Sequence, residues 1–180
     1  VNGVTKKEIV KELSQLLSDK EIDGVKFQKI EPEETGAGLK ANIKFTGPLN
    51  YAQRIRFDFN FRENAVKKPA KMDMIDFYKI GTHSIFVLSL EEILAEKIHA
   101  LSTRNAPRDL YDFWFLTKNK VQKNNELIRQ KFSYYNEKHD KNKTLQNIQK
   151  MEPKWKDDLK RLMKNLPEFK NLAKEAIDSI

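Results

Sequence analysis

The chain has no cysteine among its 180 residues. That excludes a disulfide scaffold, a thiolate zinc site and a cysteine nucleophile. It also has no apolar run near the roughly 18 residues that cross a membrane. Its first 20 residues are too charged for a signal peptide. A soluble cytoplasmic protein with no membrane partner is the expectation. There is no P-loop, no Gly-rich dinucleotide fingerprint, no HExxH and no nucleophile elbow. His83, His99 and His139 are scattered without metal-ligand spacing, so structural or surface roles are expected for them. What the chain does have is aromatic side chains. Its 11 Phe, 5 Tyr and 2 Trp are too many for a solvated coil, so it folds. The net charge of +8 favours phosphate-bearing partners, with a plain lysine-rich bias as the alternative.

The apolar residues fall into two patterns. Thr5 to Ser18 predicts a helix: Thr5 and Glu8 form a capping-box pair, and Ile9, Val10, Leu13, Leu16 and Leu17 recur at helical spacing. Asp23-Gly24 closes that segment. Strands are then predicted over 25–30, 39–45 and 53–62. Gly36-Ala37-Gly38 reads as a turn. In the third strand Ile55, Phe57, Phe59 and Phe61 alternate with Arg56, Asp58, Asn60 and Arg62, which puts the aromatics on one face. Short strands are predicted within 72–80 and at 84–88, the latter as a buried one. From Ser89 onward the pattern is helical, with Ser89 and Glu92 as a second capping box. Helices are predicted over 90–103, 108–117, 125–137, 144–151, 153–166 and 167–180. Strands followed by helices give an α+β fold: an antiparallel or mixed sheet packed by helices, then a helical C-terminal bundle. The expected division is 1–88 for the sheet-bearing core and 89–180 for the helical region.

Three places break these patterns. In 90–104 the apolar stripe is Leu90, Ile93, Leu94 and Leu101, and Lys97 sits in its middle, with Arg104 one heptad further on. Glu91, Glu92, Glu96 and His99 lie off the stripe and are expected to be solvated. A lysine on a buried stripe snorkels, pairs with a buried carboxylate, or points into a site where phosphates supply the negative charge. The next helix is apolar nearly all round except for Arg108, Asp109 and Asp112, so its charges are expected to be paired or functional. Structural pairs such as Lys97–Asp109 or Arg104–Asp112 would account for both helices without chemistry. The third oddity is Asp58, mid-strand between Phe57 and Phe59. Its polar face carries Arg54, Arg56, Asn60 and Arg62, so an ordinary mixed-charge surface competes with a metal site.

The stretch from Leu88 to Leu116, with Lys97, Arg104 and the Arg108-Asp109-x-x-Asp112 run, resembles the AbiEii-type nucleotidyltransferases, the toxin halves of toxin–antitoxin pairs. The resemblance covers roughly residues 1–120, and the Asp58 strand looks like the family's third carboxylate strand. It implies transfer of a nucleotide from an NTP to an acceptor, RNA being the expected one, with Mg²⁺ or Mn²⁺ and a cognate antitoxin. By the same resemblance Asp58 would bind metal or activate the acceptor hydroxyl. Lys97, Arg104 and Arg108 would hold phosphate, and Asp109 or Asp112 would position those cations or serve the site directly. The family's Gly-Gly or Gly-Ser turn and its Asp-x-Asp pair occur nowhere in the 180 residues. Asp73-Met-Ile-Asp76 has the wrong spacing. With Val1 as its first residue, the chain is expected to be an incomplete or truncated form, one with a misplaced gene start, or a degenerate member. The competing reading is a noncatalytic basic module that contacts RNA or a partner antitoxin.

Overall fold

A computed structural model describes residues 3–36, 38–61, 65–73 and 84–180. The chain forms two compact units, Val1–Asn64 and Ala65–Ile180.

The first unit opens with helix α1 (Lys6–Leu17). Its capping box is reciprocal: Thr5 Oγ1 accepts from the Glu8 amide at 3.2 Å, and Glu8 Oε2 accepts from the Thr5 amide at 2.7 Å. Strands β1 (Glu21–Ile22), β2 (Val25–Phe27), β3 (Glu31–Glu34), β4 (Gly38–Thr46) and β5 (Ala52–Asn60) form one antiparallel sheet. The Asp23-Gly24 turn joins β1 to β2, and both residues have positive φ, the conformation of a two-residue hairpin that matches strand twist. β4 is central. Along one edge β3 pairs with Leu39–Asn42 and β2 with Phe45–Thr46, while β5 pairs along the whole of the other edge. The alternation read in β4 holds, with Leu39, Ala41 and Ile43 buried. Ile30, Ala41 and Ile43 form a core with Leu13, Leu17, Phe27 and Phe57 packed against it. Leu16 is 62% exposed and does not join it. Gly38 is strand rather than turn. A Cβ there would run into the Phe59 carbonyl oxygen, so the close approach of β5 requires glycine. Ala37 lies outside the described residues.

β3 was not expected. Its Glu-Pro-Glu-Glu sequence has no apolar residue to alternate, and every position is exposed. It survives as a strand because it is at an edge, where a proline without an N–H is tolerated.

The second unit begins with a hairpin of β6 (Ala70–Asp73) and β7 (Ser84–Val87). The rest of the 72–80 expectation, and His83, lie outside the described residues. β7 is not buried: Phe86 is 77% exposed. The helices are α2 (Leu90–Thr103), α3 (Pro107–Lys118), α4 (Asn125–Tyr134), α5 (Lys141–Gln149), α6 (Trp155–Leu159) and α7 (Phe169–Asp178), with a 3₁₀ turn at Glu152–Lys154. α2 is central and packs against α3, α4 and α5; α3 also packs against α7. Leu94, Leu101, Leu110, Phe113, Ile148 and Trp155 anchor the core. α4 stops at Tyr134, because Asn136 takes a left-handed conformation. The single helix expected over 153–166 is instead the short α6. After Leu159 the chain turns back so that the Trp155 indole N–H can donate to the Pro167 carbonyl at 2.9 Å, which leaves Leu162 68% exposed. No helix among the described residues is long and apolar enough to cross a membrane.

Candidate functional site

The corner between α2 and α3 gathers the charges singled out above. Ser89 caps α2 by accepting from the Glu92 amide at 3.2 Å, which fixes where its turns begin. Lys97 lies in the second half of that helix, and Arg104 directly follows its last residue, Thr103. Arg104 ends α2 in an extended conformation, and Pro107 starts α3 three residues further on, where its missing N–H costs nothing. This short connection brings the first turn of α3 against the lysine stripe.

Asp109 is the hub. Its side chain is 1% exposed, and both oxygens are engaged. Lys97 Nζ donates to Oδ1 at 3.0 Å, Arg104 Nε to Oδ2 at 2.6 Å, and Arg104 Nη2 to Oδ1 at 3.0 Å. Lys97 also meets Asp112 Oδ2 at 2.5 Å. The Lys97–Asp109 pair is therefore present, whereas Arg104 binds Asp109 rather than Asp112. The Lys97 side chain remains 23% exposed and that of Arg104 56%, so both cationic side chains are partly open to solvent while the carboxylate holding them is not. Arg108 is exposed on the same turn of α3 and makes no ion pair among the described residues. The corner thus holds three cations against two carboxylates.

Burial works against the charge of both hub groups, and their partners outweigh it. It pulls the Lys97 ammonium down, but the hydrogen bonds to Asp112 and Asp109 carry it above the usual lysine value. It pushes the Asp109 carboxyl up, but Arg104 and Lys97 hold it below the usual aspartate value. The stability that Asp109 contributes is therefore full above the unfolded carboxyl value and lost as pH falls through its depressed folded value. That of Lys97 is full below the unfolded lysine value and lost as pH rises through its raised folded value. This pair's contribution should be flat between about pH 5 and pH 10 and decline on either side. Denaturant titrations across pH check this: Asp109→Asn should flatten the acid limb, and an unchanged acid limb in that variant would remove Asp109 as its source.

Asp58 lies in the other unit. Arg56 grips it with a two-pronged fork, Nε to Oδ2 at 2.9 Å and Nη2 to Oδ1 at 3.0 Å, on an open strand face. Among the described residues no three carboxylates or imidazoles gather as a metal site. A hard divalent cation takes several oxygen ligands. Asp58 is one carboxylate already held by arginine, and Asp109 has no oxygen to spare. The described residues do not fit a divalent metal.

One charged group was misread. Glu92 is 0% exposed, not solvated. It accepts from the Val66 and Lys67 amides at 2.7 and 3.0 Å and meets Lys131 Nζ at 2.8 Å, while Lys131 also meets Glu96 at 2.7 Å. The second half of the expected capping box is thus replaced by a clamp on residues 66–67. The misreading has a cause: α4 covers the polar side of α2. His99 is on that side too and is not solvated either: its side chain is 16% exposed, stacked on Tyr135 at 4.5 Å with Nε2 3.0 Å from Glu137.

Comparison with known proteins gives two findings. Residues 3–179 match the model of the family described as nucleotidyl transferase AbiEii toxin, type IV toxin–antitoxin system. The solved structure of MenT4, a nucleotidyltransferase toxin of Mycobacterium tuberculosis, is similar at TM-score 0.55 and 13% identity, over 96% of this chain and 63% of that one. The chain therefore spans under two thirds of that toxin's length. No curated protein matches.

Proposed function

This chain belongs to the AbiEii nucleotidyl transferase toxin family, and from that premise we propose that its α2–α3 corner holds the phosphates of a nucleoside triphosphate during transfer of a nucleotide to an acceptor, RNA being the expected one. The observation that carries the reading is the buried Asp109, which fixes Lys97 and Arg104 side by side while both side chains stay partly exposed. Preorganised cations suit phosphoryl chemistry because they meet developing negative charge without having to reorganise. Arg108 adds a cation on the same turn. Asp112 orients Lys97, and Asp109 acts by positioning rather than by touching the nucleotide. A cytoplasmic location goes with this reading, since NTPs and RNA share that compartment, and a cognate antitoxin is the expected protein partner.

The 180 residues contain neither the Gly-Gly or Gly-Ser turn nor the Asp-x-Asp pair, so on their own they should not transfer nucleotide. The check is incubation with labelled NTPs and total RNA. The 180-residue chain should leave RNA unlabelled. A chain that also carries both motifs should label it in the presence of Mg²⁺ or Mn²⁺, and Lys97→Ala in that longer chain should abolish labelling. Undiminished labelling by a folded Lys97→Ala variant would return Lys97 to a purely structural pair with Asp109. Labelling by the 180 residues alone would sink the expectation that those motifs are needed.

A further inference from the structure

An amphipathic helix ordinarily turns its polar residues outward. α3 does not. Phe115 is 50% exposed, and its ring lies 6.3 Å from that of Tyr111 with the planes 18° apart. Tyr111 is braced from behind by Trp114 at 5.6 Å. Trp114 is itself pinned, its indole N–H donating to Glu175 at 2.7 Å and Lys118 Nζ lying 4.4 Å over its ring. The exposed ring therefore rests on an ordered aromatic row.

Its position along the helix connects it to the cations. Arg108, Tyr111, Asp112 and Phe115 fall at i, i+3, i+4 and i+7, which is one face. Lys97 reaches that face through its 2.5 Å contact with Asp112. Positive charge thus gathers at the N-terminal end of α3, where the helix dipole also favours an anion. Phe115 lies about 10 Å further along, at 1.5 Å of rise per residue. A surface with anion-holding groups at one end and a bare ring at the other complements a molecule with an anionic tail and a flat, weakly polar head.

We propose that Phe115, backed by Tyr111, is the stacking platform for the nucleobase of the nucleoside triphosphate whose phosphates sit at Lys97, Arg104 and Arg108. This rests on the nucleotide-holding reading above and names where the base goes. Stacking on one ring is tolerant of base identity, because every base has a π-face, so this platform adds affinity more than choice among NTPs.

The test separates the two ideas by using ATP and inorganic tripolyphosphate as probes for the full 180-residue chain, with calorimetry as the readout. ATP should bind more tightly than tripolyphosphate. Phe115→Ala should weaken ATP roughly tenfold and leave tripolyphosphate unchanged, in line with the loss on removing one stacking ring. Phe115→Leu should behave like the alanine variant and Phe115→Trp should restore binding; because the side chain is half exposed, all three should fold. Lys97→Ala and Arg108→Ala should weaken both probes. If Phe115→Ala leaves ATP binding intact, or weakens both probes alike, the platform is overturned while the phosphate site stands. If neither probe binds, or Lys97→Ala affects neither, the phosphate site itself is overturned.

Discussion

Asp109→Ala is expected to destabilise the protein by about 3 kcal/mol, near the low end for breaking a buried ion pair from one side. The low end applies because the two cations are not stranded equally. Arg104 is 56% exposed and can turn its guanidinium to water. Lys97 is 23% exposed and keeps Asp112. The variant loses three charge-assisted hydrogen bonds and an acidic residue in the first turn of α3, where the helix dipole favours one. Asp112→Ala provides the contrast. Its side chain is 44% exposed, so its removal should cost under about 1 kcal/mol, as for a surface pair. Urea unfolding of the two variants checks the ordering. Equal losses would mean that Asp109 is no hub, and the preorganisation argued for Lys97 and Arg104 would go with it. Because Asp109 holds both cations, Asp109→Ala should also weaken tripolyphosphate binding more than Asp112→Ala does.

The hub was half legible in the sequence. Helical spacing put Lys97 on an apolar stripe, and an almost wholly apolar α3 left Asp109 and Asp112 as its conspicuous anions. Spacing could not decide which carboxylate Arg104 takes, because that depends on how the 104–106 connection crosses from one helix to the next. Strand β4 was readable because its alternation is complete over nine residues, and β5 because Ile55, Phe57 and Phe59 alternate with Arg54, Arg56, Asp58 and Asn60. β3 was not, since an edge strand of Glu and Pro is held by the backbone of β4 and carries no hydrophobic signal. Glu92 was misread for a related reason. Its side of α2 is polar, and on an isolated helix polar means solvated, but α2 is surrounded by three other helices. The signal that could have found its partner was present: Lys131 follows Leu127 by four residues and precedes Phe132, as misplaced on its own stripe as Lys97 is. The same stripe-lysine argument applied to α4 would have required a buried anion opposite.

Lys131→Met should prove at least as damaging as Asp109→Ala, at about 3–5 kcal/mol, because it removes the only side-chain cation among the described residues that faces a carboxylate with no exposure at all. Burial pushes the Glu92 carboxyl up, and Lys131 and the two amides of residues 66–67 reverse it. Without the lysine the carboxyl must take up a proton or open a path to water, and either loosens its hold on those amides. Glu92→Gln alone should cost less than Lys131→Met, since Lys131 would keep Glu96, which is 32% exposed, and the amide oxygen of glutamine can still accept from the backbone. The double variant Glu92→Gln, Lys131→Met should recover much of the loss, because a buried ion pair replaced on both sides leaves no unpaired charge. The decisive readouts are urea unfolding for the cycle and hydrogen exchange at the Val66 and Lys67 amides for the clamp. Those two amides should exchange faster in Lys131→Met than in the double variant. If the double variant is no more stable than Lys131→Met, charge stranding is not the cause, and the loss lies in how the stem of Lys131 packs within α4. The physical logic is that of the α2–α3 corner with the access to water reversed. Each site is a lysine bridging two carboxylates on a helical scaffold. The Lys97 side chain is 23% exposed, as the proposed phosphate role requires, and that of Lys131 is 6% exposed, which leaves it only a structural use.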